Sequence, residues 1–303
     1  NPCIMTRTIL LLNLVGFVFG LNGCTQTSTK PQDKVRKPGS SLLWRISGND
    51  METESYLYGT IHIQDSRVFK YGDVVKSAFN LAEVVAVEVE LDKVDYATIM
   101  NVTMMQDSTL DQILTPEEYE QLNVKYTELT GASLKTANRI KPFFLSANII
   151  QAIVKKDAPV PLDLYFINEG RIQQKTVLGL ETINEQIDII DKLSYTAQAK
   201  MLLESLADTV NIVEMFNEMV EAYLRMDGEQ LLELSNDPSI PAEFMKELLV
   251  DRNHLMVERM KPIMGKKKVF TAVGAAHLFG SEGVIELLKK EGYTVEAVEF
   301  DFE

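Results

Sequence analysis

Cysteine, histidine and basic residues are scarce in this chain. Its 303 residues include two cysteines, Cys3 and Cys24, and both lie near the N-terminus. A disulfide scaffold, a cysteine zinc site and a cysteine nucleophile are therefore excluded from the main domain. Lys and Arg number 30 against 44 Asp and Glu, a formal net charge of −14. This balance, without a long basic run, argues against nucleic acid or an anionic lipid surface as the principal partner. Chemistry must use histidine, carboxylates and hydroxyls.

Residues 1–24 have the pattern of a signal peptide that ends at a lipidated cysteine. Arg7 supplies the positive charge, and the apolar run 9–19 is too short to span a membrane. The segment Leu21-Asn-Gly-Cys24 resembles the bacterial lipobox, in which the chain is cleaved before a cysteine that becomes acylated. An ordinary secretory signal with an accidental cysteine is the alternative. We expect Cys24 to anchor an exported domain in the cell envelope.

The remainder of the chain divides into a linker and one domain. Residues 25–41 are rich in Ser, Thr, Lys and Pro and lack an apolar period, which predicts a flexible linker. Residues 42–303 alternate β-favouring runs with amphipathic segments, and their middle is helical, including one long apolar stripe over 199–223. This order predicts an α/β domain whose central sheet takes strands from both ends of the chain around a helical insertion. The predicted strands are Leu42–Ile46, Ser55–Ile63, Val84–Leu91, Thr176–Leu180, Lys268–Gly274 and Tyr293–Phe300.

One short motif occurs twice. Gly59-Thr-Ile-His62 ends one predicted strand and Gly274-Ala-Ala-His277 ends another, so two of the three histidines share a Gly-x-x-His frame. In α/β sheets the carboxyl ends of strands form the usual ligand crevice, and glycine there permits close approach. Either motif alone favours a structural histidine, whereas the pair favours one shared site. His254 lacks the frame, and we expect it to be a surface or packing residue.

Two carboxylates end the Val-rich run Val84–Leu91. A buried parallel strand is typically an unbroken apolar run, so Glu88 and Glu90 are unusual there. They are either a strand end that emerges into solvent or the carboxylate partners of His62 and His277 at a metal site. Both would face the same side of the strand, because side chains alternate with period two.

A series of short motifs resembles a known family. They are Leu43-Trp44, Tyr58-Gly-Thr-Ile-His62, Val85-Ala-Val-Glu88, Lys141-Pro-Phe143, Gly179-Leu-Glu-Thr182 with Gln186, Arg252-Asn253 and Gly274-Ala-Ala-His277. Together they are similar to the TraB/GumN family, which includes the Tiki proteins, over almost the whole chain from residue 42. The resemblance implies an α/β fold related to that of erythromycin-esterase-like proteins. It also implies an active site formed by the two Gly-x-x-His motifs and an early Glu, which Glu88 matches better than Glu90.

The resemblance to Tiki proteins implies metal-dependent peptide cleavage. We therefore hypothesise a membrane-tethered hydrolase of peptides in which His62 and His277 bind a divalent ion and Glu88 is a ligand or a general base. Without thiolates the site suits Mn²⁺ or Co²⁺ as well as Zn²⁺. Glu181 and Arg252 are further catalytic candidates that would orient the site or hold a substrate carboxylate, and a structural Arg/Glu pair is the alternative.

A second function fits the same residues. An envelope lipoprotein that binds a peptide or protein partner without turnover would use the His and Glu residues as a polar binding cluster. The sequence predicts neither the substrate nor the oligomeric state.

Overall fold

A six-stranded mixed sheet lies at the centre of the fold. The computed structural model describes residues 40–206, 209–236 and 240–303. The strands are β1 Leu43–Ser47, β2 Ser55–Thr60, β3 Val84–Val87, β4 Thr176–Gly179, β5 Val269–Gly274 and β6 Thr294–Val298. Their order across the sheet is β4-β3-β5-β2-β1-β6. Strands β4, β3, β5 and β2 are parallel, whereas β1 is antiparallel to both β2 and β6.

This topology confirms the predicted α/β class and the contribution of both chain ends to one sheet. Strand β5, from the C-terminal part, lies between β2 and β3 from the N-terminal part. The first two strands are antiparallel neighbours, as their separation by a turn-forming segment indicates. The N- and C-terminal parts therefore interleave, and residues far apart in sequence meet at the strand ends.

Helices occupy the connections between strands. Helix α1 links β2 to β3, α2 to α6 form an insertion between β3 and β4, α7 to α12 connect β4 to β5, and α13 leads into β6. Their bounds are α1 Asp73–Leu81, α2 Tyr96–Thr103, α3 Leu110–Ile113, α4 Pro116–Thr130, α5 Pro142–Ile153, α6 Leu162–Ile172, α7 Ile183–Ile190, α8 Tyr195–Leu206, α9 Thr209–Leu224, α10 Gly228–Ser235, α11 Ala242–Met245, α12 Arg252–Met264 and α13 Val284–Lys290. The apolar stripe over 199–223 belongs to α8 and α9, and residues 207–208 between them lie outside the described part.

Several predicted strands are longer than those observed. Strand β3 ends at Val87 rather than Leu91, because the chain turns into the 3₁₀ segment Leu91–Lys93 with Glu90 as its N-cap. Strand β2 likewise ends at Thr60 instead of Ile63. The period-two alternation that would place Glu88 and Glu90 on one side therefore does not extend to them.

Both faces of the sheet are covered, as the alternation of its buried side chains requires. On one face Tyr58 and Phe270 pack with Phe166 of α6. On the other face Leu57 and Val273 share a core with apolar residues of α12 and α13. A separate apolar cluster joins α4 and α5 of the insertion to α8, which follows β4. This packing leaves the carboxyl edge of the parallel strands to polar side chains.

The N-terminal predictions concern residues that the structure does not describe. The signal peptide, Cys24 and residues 25–39 of the expected linker lie outside the described residues. Ser41 is buried, and its hydroxyl donates to the carbonyl of Val298 at 2.6 Å beside β6. In the part of the chain that is described, no helix has the length and apolar character needed to cross a membrane.

Candidate functional site

The two Gly-x-x-His motifs leave the sheet side by side. Strands β2 and β5 are parallel neighbours, and their register pairs Thr60 with Gly274. His62 follows β2 closely, and His277 ends the 3₁₀ turn Ala275–His277 that follows β5. Both imidazoles are buried, at 6% and 0% exposure. The structure thus brings the two predicted histidines together at the carboxyl edge of the parallel strands.

Two carboxylates reach the same edge from the neighbouring strands. Glu88 follows β3 directly, and Glu181 lies just beyond β4. The amide of Glu181 donates to the carbonyl of Glu88 at 2.7 Å. Gly179 permits this close approach of the two segments, because a Cβ at that position would lie 2.8 Å from the Glu181 carbonyl oxygen and 3.5 Å from that of Glu88. Both carboxylate side chains are buried.

Arg252 joins these carboxylates. It begins α12 directly after a π-helical turn, Lys246–Asp251, a feature that is frequent at functional sites. Its Nη2 donates to Glu88 Oε2 at 2.7 Å and to Glu181 Oε2 at 2.8 Å, and its Nε donates to Glu181 Oε1 at 2.9 Å. The Gln186 amide contacts the same two carboxylates at 3.5 and 3.3 Å. The guanidinium of Arg252 is therefore occupied within the protein.

Glu88 is held in its ionised form. Burial alone would raise the pKa of its carboxyl group, but the charge of Arg252, with smaller contributions from both imidazoles and the Gly274 N–H, lowers it to about 2. The Gly274 amide donates to Oε1 at 2.6 Å. Such a carboxylate suits cation binding better than base catalysis, which is most efficient when the pKa lies near the working pH.

Gly274 lies between both histidines and Glu88, and the space above it is just large enough for the absence of a side chain to matter. A Cβ at Gly274 would lie 3.2 Å from Glu88 Oε1, 3.4 Å from His62 Nε2 and 3.6 Å from His277 Cδ2. The His62 Nε2 atom is 3.9 Å from Glu88 Oε1. Glycine at the end of β5 therefore leaves room where polar atoms from three strand ends converge.

Each imidazole is held through its Nδ1 atom by a residue that the sequence analysis did not assign to the site. Asp163 Oδ2 lies 2.5 Å from His62 Nδ1, and its other oxygen accepts the Thr60 hydroxyl. Asn253 Oδ1 lies 2.6 Å from His277 Nδ1. The only sequence signal for Asp163 is its place at the start of a helix, whereas Asn253 belongs to a motif of the family resemblance.

The two histidines differ electrostatically. Burial and the charge of Arg252 lower the pKa of His277 to about 3, so its ring is neutral. Burial also opposes the charged form of His62, but the charge and hydrogen bond of Asp163 outweigh it and raise the pKa of His62. The two copies of the motif therefore have imidazoles whose pKa values shift in opposite directions.

The donor atoms suit a divalent cation. The Nε2 atoms of His62 and His277 are buried and have no hydrogen-bond partner among the described residues. Neutral imidazole nitrogen and ionised carboxylate oxygen are ligands of first-row divalent metals. Within residues 40–206, 209–236 and 240–303, no three His, Cys, Asp or Glu side chains are already arranged to hold an ion. The two unpaired nitrogen atoms, of which His62 Nε2 lies 3.9 Å from Glu88 Oε1, are thus the observation that fits a metal.

Two other polar candidates lie apart from this cluster. Glu90 is paired with Lys93 and Arg171, each at 2.6 Å. Burial alone would raise the pKa of its carboxyl group, but the hydrogen bonds from Lys93 and Arg171 outweigh burial and lower it. His254 lies on the surface with its Nε2 3.0 Å from Glu282 Oε2, which confirms the expectation for this histidine. Glu88 is therefore the carboxylate that the structure places with both Gly-x-x-His motifs.

Comparison with known proteins gives consistent matches over most of the chain. The metalloprotease TIKI1 of Danio rerio is 26% identical over 333 residues, which cover 91% of this chain and 65% of that protein. For TIKI1 of Xenopus tropicalis the identity is 26% over 87% of this chain and 62% of that protein, and for the Homo sapiens protein it is 25% over 91% and 65%. The chain thus spans slightly less than two thirds of the length of these relatives.

No solved structure matches the chain, so the expected relation to erythromycin-esterase-like proteins stays a prediction. The model of the TraB/PrgY/gumN family matches residues 42–297, a range that contains strands β1 to β5 and all but the last residue of β6, both Gly-x-x-His motifs and the Glu88–Arg252–Glu181 cluster. The chain therefore belongs to the TraB/PrgY/gumN family.

Proposed function

We propose that this protein is a metal-dependent hydrolase that cleaves peptides. The observation that carries the proposal is the pair of buried Nε2 atoms, on His62 and His277, that have no hydrogen-bond partner in the described part of the chain and belong to rings that flank Gly274. Buried polar atoms in native proteins are nearly always paired, and two unpaired imidazole nitrogens near one ionised carboxylate are explained by a bound cation. The TIKI relatives, which are named metalloproteases, support the same class of reaction.

The charge of the cluster favours a divalent cation. The cluster contains three carboxylates: Glu88 and Glu181 bind the guanidinium of Arg252, and Asp163 faces His62. With both imidazoles neutral, as metal ligation requires, these carboxylates and Arg252 have an excess of two negative charges. Charges removed from water require compensation, and a divalent ion would supply it.

His62 and His277 would hold this ion, with Glu88 as the carboxylate ligand. The ion would supply a Lewis acid that polarises a peptide carbonyl. With nitrogen and oxygen donors alone, Mn²⁺ and Co²⁺ suit the site as well as Zn²⁺. Glu88 is ionised, as a ligand must be, and the Gly274 N–H and Arg252 fix both of its oxygens.

Glu181 and Arg252 act on the site by holding Glu88. Because the Arg252 guanidinium already binds two carboxylates and the Leu248 carbonyl, we assign it to orienting Glu88 rather than to capturing a substrate carboxylate. Glu181 also accepts hydrogen bonds from the Arg252 guanidinium and keeps it in place. Both are positioning residues in this proposal.

The protein would work on a lipid tether in the cell envelope. Acylation of Cys24 would place several hydrocarbon chains in one leaflet, at about 0.8 kcal/mol per buried methylene, and residues 25–41 would separate the domain from the membrane. Cys24→Ala should release the protein from membranes or leave it unprocessed at higher mass. A variant that fractionates and migrates as the parent does would support an ordinary secretory signal instead.

Metal analysis combined with a peptide library tests the catalytic proposal. The purified protein should contain or take up a divalent ion, and His62→Ala with His277→Ala should abolish this binding while His254→Ala, which changes the exposed third histidine, should not. Incubation with a peptide library and Mn²⁺, followed by mass spectrometry, should show cleaved peptides. Unchanged metal content in the double variant would end the metal assignment, and intact but bound peptides would favour the non-catalytic binding protein.

A further inference from the structure

The orientation of both imidazoles is set by acceptors on the far side of each ring. Asp163 faces Nδ1 of His62 at 2.5 Å, and Asn253 faces Nδ1 of His277 at 2.6 Å. Both rings flank Gly274, where a Cβ would lie 3.4 Å from His62 Nε2 and 3.6 Å from His277 Cδ2, the carbon bonded to Nε2, and neither Nε2 has a hydrogen-bond partner among the described residues. Each ring therefore has one anchored nitrogen and one open nitrogen.

Asp163 requires the proton of His62 to be on Nδ1. One of its carboxylate oxygens accepts the Thr60 hydroxyl, and the other faces the ring nitrogen. Asp163 itself lies in the first turn of α6, where the helix dipole favours a negative charge. An ionised carboxylate only accepts hydrogen bonds, so the ring must donate through Nδ1.

For His277 the same conclusion follows from a longer chain of contacts. Asn253 Nδ2 donates to the Glu282 carbonyl at 2.8 Å, and a carbonyl can only accept. The amide nitrogen of Asn253 must therefore face Glu282, which leaves Oδ1 toward the ring. Because Oδ1 is an acceptor, Nδ1 of His277 carries the proton.

We propose that Asp163 and Asn253 are positioning residues that lock both imidazoles in the Nδ1–H tautomer, which leaves the Nε2 atom of each ring without a proton. The purpose of this lock rests on the proposed metal site, since ligation requires a bare nitrogen. Partners of this kind orient metal-binding histidines in many proteins, and their loss lowers metal affinity about 10- to 100-fold. A carboxylate holds one ring and an amide the other, so we expect the larger loss at Asp163.

Nitrogen NMR of the imidazoles in the metal-free protein tests the lock directly. The chain has three histidines, so selective ¹⁵N labelling gives three ring systems, and His254→Gln identifies the surface one. At a pH where the buried rings are neutral, both should show a protonated Nδ1 and a bare Nε2. A protonated Nε2 on a neutral His62 or His277 would overturn the proposal.

Titration with Co²⁺ alone tests the consequence of the lock. Asp163→Ala and Asn253→Ala should bind Co²⁺ about 10- to 100-fold more weakly than the parent, and Asp163→Asn, which keeps an acceptor oxygen, should recover part of the loss. Asp95→Ala is the matched control, because Asp95 also begins a helix and accepts a Thr hydroxyl, at α2. Circular dichroism and urea unfolding establish that each variant is folded.

The two tests separate this inference from the proposed function. A parent protein that binds no Co²⁺ and cleaves no peptide would refute the proposed function, while the ¹⁵N spectra would still decide the tautomers. Folded Asp163→Ala and Asn253→Ala variants that bind Co²⁺ as the parent does would overturn the positioning roles and leave the metal site standing.

Discussion

The two Gly-x-x-His motifs have the same pattern but different tasks. A Cβ at Gly59 would lie 3.1 Å from both Ala275 Cβ and Leu278 Cδ2, so this glycine lets β2 pack against the turn that carries His277. Gly274 instead keeps open the space above the site and donates its N–H to Glu88. The first glycine therefore serves packing and the second serves the site.

The histidines of the two motifs also differ. His62 has a carboxylate partner, and its pKa is raised, whereas His277 has an amide partner, and its pKa is lowered to about 3. A repeated motif in the sequence thus marks one location in the fold without implying one role. The predictions below test this difference.

Removal of Arg252 should have the largest effect, because both motifs meet at Glu88. Arg252→Met would leave Glu88 and Glu181 as buried carboxylates without their counter-charge, and we expect a loss of about 3–5 kcal/mol in the free energy of unfolding. Urea unfolding near neutral pH measures it. Arg259→Met is the control, since Arg259 pairs with Glu185 at a half-exposed position and should cost about 1 kcal/mol or less. Similar losses in both variants would contradict the assigned role of Arg252.

The glycines should separate stability from binding. Gly59→Ala overpacks against Ala275 and Leu278 and should cost about 1–3 kcal/mol. Gly274→Ala, at a backbone φ of −52° that alanine adopts readily, would place a Cβ 3.2 Å from Glu88 Oε1 and 3.4 Å from His62 Nε2, so it should abolish Co²⁺ binding, whereas Gly59→Ala should retain it. Urea unfolding and Co²⁺ titration of both variants measure the contrast. The reverse pattern would show that the tasks of the two glycines are misassigned.

The sequence predicted the location of the site better than the contacts that organise it. Glycine, histidine and carboxylate at strand ends are local signals, so His62, Glu88 and His277 were identifiable. Asp163 was not identifiable, and Asn253 was marked only as part of the resemblance motif Arg252-Asn253 without a role, because their contacts to the histidines join different elements and carry no spacing rule.

The limits of the strands show the same division between local and tertiary information. The apolar run that includes β3 predicts a strand, but its end at Val87 is set by the turn that starts at Glu90 and by the neighbouring β4, which stops at Gly179. The choice between Glu88 and Glu90 depends on that end. The local sequence pattern predicts that a strand forms, and contacts with neighbouring segments determine the residue at which the strand ends.

The pH dependence of stability should have opposite slopes for the two histidines in metal-free protein. The pKa of His277 is about 3 when folded and near 6.5 when unfolded, so the unfolded chain binds more protons in that window. Stability should fall as the pH is lowered below 6.5, by at most about 1.4 kcal/mol per pH unit. The raised pKa of His62 has the opposite sign, and its contribution is present below 6.5 and lost as the pH rises through the folded value.

Urea unfolding in the presence of EDTA, over about pH 4 to pH 9, resolves these slopes. His277→Gln should flatten the acid side of the stability profile, and His62→Gln should flatten the neutral to alkaline side. Glu88 contributes to the acid side in both variants, so the comparison between them isolates the histidines. The same change in both profiles would contradict the electrostatic difference between the motifs.

Thr60 gives the smallest and most local test of the difference between the motifs. The corresponding residue of the second motif is Ala275, which has no hydroxyl group. The Thr60 hydroxyl donates to Asp163, so Thr60→Val removes one donor from the carboxylate that orients His62 and should cost about 1 kcal/mol.

Thr271→Val is the matched control on β5. Both threonines are buried, at 1% and 0% exposure, but the Thr271 hydroxyl has no hydrogen-bond partner among the described residues. Valine there removes an unpaired polar atom and should leave stability unchanged or raise it. Urea midpoints that fall equally in the two variants would show that the Thr60–Asp163 contact adds nothing, and the orientation of His62 would then depend on Asp163 alone.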